Sequence, residues 1–175
     1  MKRAILFMTV VTVLAASLAV GGWASGAAAK ESNILEFSTM IGVPRPFTGA
    51  ANAIRGISGG GLPWVVSFAS GELKASGKIE VTVHGLVLDP NDAGVNSVPG
   101  RGGTNPIASF KAIVSCMSKD ANGNAVTANV STGLFPADVA GNSEVEDTVA
   151  LPQPCIAPIV FVTNPGGAWF AATGN

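Results

Sequence analysis

The sequence predicts an all-β protein, a single antiparallel β-sandwich of about seven to nine strands, Ig-like or jelly-roll-like, with one disulfide. Three observations carry this reading. Twenty-two glycines and eleven prolines are spread through 175 residues, which is the turn density of a sandwich or barrel and not of a helical bundle. Between them run short segments in which apolar and polar residues alternate with a period of two, the mark of half-buried strands. Apolar residues make up 47% and charged residues 12%, so the chain has ample material for a core and does not have the composition of a disordered one.

Taken in order, Ser32 to Val43 reads as a first strand with Ile34 and Glu36 alternating with Leu35 and Phe37. Pro44 and Pro46 stop it, because proline cannot donate to a ladder. Phe47 to Ser58 sustains no period beyond a short helical turn. After the Gly59-Gly60-Gly61 break, Leu62 to Phe68 is expected to be one strand with Trp64, Val66 and Phe68 on one face. Gly71 to Leu88 holds the clearest alternation: Ile79, Val81 and Val83 against Glu80, Thr82 and His84. Gly77 suits a turn before that run, and Gly85 suits a bulge within it.

Asp89 to Asn105, DPNDAGVNSVPGRGGTN, is the longest stretch without a strand pattern. Connections of that length tend to be functional or mobile. Pro106 to Thr132 follows as a hairpin. Phe110, Ala112, Val114 and Cys116 share one face, and Val126, Ala128 and Val130 return after the Asp120-Ala121-Asn122-Gly123-Asn124 turn. Gly133 to Gly141 turns the chain, with Leu134 and Phe135 expected inward. Glu144 to Leu151 reads as a strand with a charged outer face. Cys155 sits in an extended crossing bracketed by Pro152, Pro154 and Pro158. Ile159 to Thr163 and Ala168 to Thr173 close the chain as a hairpin around Asn164-Pro165-Gly166-Gly167.

Lys2 and Arg3, the apolar run Ala4 to Val20 and the small residues Ala27-Ala28-Ala29 have the order of a secretory signal peptide. Met1 to Ala29 is therefore expected to be removed, leaving residues 30–175 as the domain. An uncleaved anchor is the rival, because about 17 apolar residues reach the lower limit for spanning. The expected location is secreted, periplasmic or cell-surface. In such a compartment the chain's two cysteines, Cys116 and Cys155, are expected to pair. Closing a loop of about 40 residues contributes on the order of 4 kcal/mol by loop entropy.

Without Lys2 and Arg3, eight basic residues face eleven acidic ones. No Arg-rich or Lys-rich run remains, so nucleic acid finds no electrostatic footprint. The absence of tyrosine argues against an outer-membrane barrel, whose interfaces carry aromatic girdles. His84 is the only histidine, which removes a His-pair zinc site and any relay needing two imidazoles. No Gly-x-Ser-x-Gly elbow accompanies it, and a solvated strand face is its simplest role.

The candidate ligand-binding residues are Trp64 and, in the long loop, Asp89, Asn91, Asp92 and Arg101. Asp89 and Asp92 are also weak calcium candidates. The EF-hand pattern fails at Ala93 and Gly100, and Asx-turns are the default for such a stretch. Glu144, Glu146 and Asp147 form the densest acidic run, whose simplest role is a solvated strand face that discourages edge pairing. Trp64 and Trp169 could stack on sugars, though both lie in apolar runs that suit a core. Asn129-Val130-Ser131 has the glycosylation acceptor pattern but falls within an expected strand.

The expected function is that of an exported, non-enzymatic binding or surface-structural module, taking an extracellular ligand or cell-surface component and requiring no cofactor. One alternative is an extracellular hydrolase acting on glycosides through paired carboxylates. Another is a self-assembling surface component, with Ile34 to Ile41 completing the sheet of another copy.

Overall fold

A computed structural model describes residues 31–173. The expected signal peptide lies outside the described residues. Twelve strands follow one another: β1 (Asn33–Phe37), β2 (Met40–Gly42), β3 (Trp64–Val65), β4 (Phe68–Lys74), β5 (Lys78–His84), β6 (Val87–Leu88), β7 (Ser109–Lys119), β8 (Ala125–Ser131), β9 (Phe135–Pro136), β10 (Ser143–Thr148), β11 (Ile156–Thr163) and β12 (Trp169–Thr173). No helix occurs among the described residues. All strand pairings are antiparallel.

A four-stranded sheet has the order β1-β4-β5-β10, and a six-stranded sheet has the order β2-β12-β11-β7-β8 with β9 beside β7. A third, two-stranded pair joins β3 to β6. Leu73, Ile79, Val81, Val83 and Val145 from the smaller sheet share one core with Phe110, Ala112, Val114, Val160 and Val162 from the larger. Period-two alternation explains the sorting, since each strand turns its β-branched and aromatic residues to one side. A single core shared by two antiparallel sheets is consistent with the expected sandwich.

Three of the turns are built alike. In Asp120–Asn124, Asp138–Asn142 and Asn164–Ala168, the first residue's N–H donates to the fifth residue's carbonyl. The fourth residue is glycine with positive φ in each, Gly123, Gly141 and Gly167. The first residue's side-chain oxygen accepts the fifth residue's N–H. A side-chain acceptor and a left-handed glycine together close such a loop, and only glycine takes that conformation without strain.

The structure departs from the sequence reading at three places. Ser32–Val43 is two strands, because the chain leaves the smaller sheet after Phe37 and enters the larger at Met40. Leu62–Phe68 also divides. Trp64 is buried in β3, whereas Phe68 begins β4 on the outer face, 48% exposed and 5.9 Å from the His84 ring. Leu134 is 57% exposed instead of inward, since it stands at the crest of the turn and only the following Phe135 pairs with β7.

The segment without a sequence pattern is an irregular strap. Residues 44–62 lack a strand period because they cross the outer face of the six-stranded sheet and do not join its ladder as a regular strand. An Arg55 guanidinium nitrogen donates to the Ser115 carbonyl at 2.8 Å, and the Asn129 amide donates to the Arg55 carbonyl at 3.1 Å. Gly60 N–H and Trp169 N–H tie the end of this strap to β12. Ser115, Phe161 and Thr163 on that outer face are consequently wholly buried.

Candidate functional site

The end of the molecule capped by β3 and β6 carries an open depression of about 410 Å³ lined by Gly61, Leu62, Trp64, Leu88, Arg101, Pro106, Ile107, Asn164 and Phe170. Its floor is an aromatic cluster. Trp64 stacks on Phe170 at 3.8 Å between centroids, and Phe110 meets both rings edge-on at 6.5 and 5.9 Å. Phe170 is placed there by a bulge: Val162 pairs with Ala171 and Thr163 with Trp169, leaving Phe170 as the extra residue. Bulges re-aim a side chain in this way.

The 89–105 loop contributes Arg101 to the rim, and it is held at both ends. Leu88 exchanges backbone bonds with Gly103 and Thr104, and Asp89 N–H donates to the Pro63 carbonyl. Val95 is fully buried. The buried Asn105 amide donates to the Ile107 and Asp138 carbonyls at 2.8 Å. A long connection anchored by a buried apolar residue and a buried, satisfied amide is an ordered wall. Arg101 is half-buried in that wall. No salt bridge or side-chain hydrogen bond engages its guanidinium among the described residues.

Trp64 and Arg101 are thus brought together, while the other three candidates stand apart. The Asp89 carboxylate accepts the Asn91 N–H at 2.8 Å, an Asx-turn. The Asp92 carboxylate accepts two bonds from Arg45, at 2.9 and 3.2 Å, and a third from the Val95 N–H at 2.9 Å. The Arg45 guanidinium, followed by the Val95 amide, lowers the Asp92 pKa to about 2. Its oxygens are occupied by donors, which is a poor starting point for a calcium ligand. Among the described residues no three His, Cys, Asp or Glu side chains gather as a metal site.

The acidic residues of the smaller sheet also have partners. Lys78 Nζ lies 2.6 Å from Glu80 and 3.1 Å from Glu146. Asp147 accepts the Gly133 and Thr148 N–H groups, which lowers its pKa, the opposite of the shift a general acid needs. His84 Nδ1 lies 3.2 Å from Asn142 Oδ1 and its ring is exposed beside Phe68. Cys116 and Cys155 are disulfide-bonded, with Cα atoms 4.9 Å apart. Trp169 is buried beside Phe161, lining an apolar groove with Ile41, Phe47 and Ile54.

Comparison with protein-family models, curated proteins and solved structures finds no match to the chain.

The sequence reading missed Leu62, Leu88, Pro106, Ile107 and Phe170 as parts of the depression. Each is an ordinary apolar residue in its own segment, and only the packing of β3, β6 and the β12 bulge converges them. The one available signal was the alternation break around Trp169-Phe170, two large apolar residues in succession.

Proposed function

We propose that this domain is a non-enzymatic binding module of an exported protein, and that its ligand surface is the depression between Trp64, Phe170 and Arg101. The observation that carries the reading is a single guanidinium without an acidic partner at the rim of a concavity whose only other polar side chain is that of Asn164. Such a surface favours a ligand with an apolar or aromatic body and one carboxylate. The body displaces water from Leu62, Ile107 and Phe170, and the guanidinium takes the anion through paired donors. The disulfide supports residence in an oxidising compartment, secreted, periplasmic or cell-surface.

The hydrolase alternative has less support. Its carboxylates lie on an open sheet face, where Lys78 and backbone donors engage them, and paired-carboxylate catalysis needs two of them flanking a bond in a cleft.

Phenylacetate and the uncharged phenylacetamide serve as probes in an NMR titration. The expected result is saturable shifts at Trp64, Ile107 and Arg101 with the carboxylate, roughly tenfold weaker binding of the amide, and loss of that preference in Arg101→Ala. Absence of saturable binding, or turnover of a glycoside that depends on Glu146, would sink the proposal.

A further inference from the structure

Apart from the two-residue β9, which lies off the path beside β7, the two large sheets end in four strands, and three of these ends carry the protections by which soluble sheets avoid pairing with other chains. β1 holds Glu36 and a bulge between Asn33 and Leu35. β10 holds Glu144, Glu146 and Asp147. β2 is only three residues long. The fourth end, β8, has none of these devices. Its sequence, Ala-Val-Thr-Ala-Asn-Val-Ser, contains no charge, proline or glycine, and it runs against β7 in unbroken register from Lys119↔Ala125 to Ile113↔Ser131.

The direction of its backbone groups follows from the two bonds that bracket the hairpin. Asp120 N–H donates to the Asn124 carbonyl at one end, and Thr132 N–H donates to the Ala112 carbonyl at the other. Antiparallel pairs alternate between bonded and non-bonded, so Val126, Ala128 and Val130 bond to β7. Ala125, Thr127, Asn129 and Ser131 therefore direct their N–H and C=O groups away from the sheet. These four residues are exposed, and Val126, Ala128 and Val130 are half-buried.

We propose that β8 pairs antiparallel with β8 of a second copy of this chain, about a two-fold axis at Ala128, joining two six-stranded sheets edge to edge. In that register Thr127 lies opposite Asn129 and Ala125 opposite Ser131. These are the residues whose groups point outward, so each both gives and takes a bond. Val126 lies opposite Val130, and Ala128 meets its own counterpart. No charge meets a like charge, and the β-branched and small residues suit close cross-strand contact. A two-fold interface requires such self-complementarity. A foreign strand would be selected by charges or side-chain pockets along the edge, and β8 supplies no charge, whereas its own sequence is its complement.

Sedimentation velocity on residues 30–175 over a concentration series tests the proposal, with amide hydrogen exchange to locate the contact. Thr127→Pro removes an outward N–H and leaves the β7 ladder intact. Thr127→Lys places a charge on the edge without touching the backbone. The expected result is a reversible monomer–dimer equilibrium whose dissociation constant rises roughly tenfold or more in both variants, with melting unchanged in dilute solution. The Thr127, Asn129 and Ser131 amides gain protection as concentration rises, whereas those of Val126, Ala128 and Val130 are protected throughout. Monomer mass at every concentration up to the solubility limit would overturn it. So would a dimer that both variants leave intact, or one in which those amides stay unprotected.

Discussion

Asp92 and Arg45 lie 47 positions apart and join the long loop to the segment that leaves β2. The pair is a surface one, with the Arg45 side chain 53% exposed, so its worth in neutral solution is modest. Its titration is nevertheless distinctive. The folded carboxyl has a pKa of about 2, held down first by the guanidinium and then by the Val95 amide, against roughly 3.9 in the unfolded chain. A depressed folded value means that the unfolded chain binds the proton more readily in this window. The stabilisation is therefore present above about pH 4 and is lost as pH falls through about 2. Melting temperature is expected to drop across that window. In Asp92→Asn the drop is expected to be shallower, as measured by thermal scans from pH 5 to the acid limit. Local chemistry of this kind was half legible: the Asx-turn propensity of Asp-Pro-Asn-Asp is in the sequence, but nothing near Arg45 marks it as the partner.

At the level of elements, the outer face of the four-stranded sheet presents four glutamates in one cross-strand row. Glu36 lies opposite Glu72, Glu72 opposite Glu80, and Glu80 opposite Glu146. Lys74 and Lys78 relieve part of the repulsion through Glu72, Glu80 and Glu146. No salt bridge reaches Glu36 among the described residues, and it directly faces Glu72. Like charges directly opposite one another destabilise a sheet, so Glu36→Lys is expected to stabilise the fold by about 0.3–1 kcal/mol. The gain should shrink in high salt, and urea denaturation at two ionic strengths measures both effects. The alternation within β1 and β5 was plain in the sequence, as was the charged face of β10, whereas β4 was not read there as a strand. The row was not, because it exists only once the register between β1, β4, β5 and β10 is set. The same reason explains why the strap 44–62 had no visible pattern. Its residues are placed by contacts to Ser115, Asn129 and Trp169, which its own period cannot encode.

For the whole molecule, Cys116 and Cys155 tie the long β7 to the entrance of β11 across 39 residues. Loop entropy assigns the bridge on the order of 4 kcal/mol, a large share of the roughly 5–15 kcal/mol typical of a domain. Reduction is expected to lower the denaturation midpoint substantially while leaving the depression intact in the fraction still folded. Calorimetry with and without reductant, paired with the phenylacetate titration, checks that order of events. The all-β class, the hairpins and the disulfide could be read from local pattern and cysteine count. The sheet orders could not, because β2, near the start of the described chain, completes its sheet by pairing with β12. Gly42 lies opposite Ala171, and such distant pairings slow folding because the intervening loop must close first. At ribosomal speeds of about 5–20 residues per second, some ten seconds separate the synthesis of one strand from the other. Through that interval β2 has no ladder to enter, so the six-stranded sheet gains its first strand in sequence last, after β12 has been made.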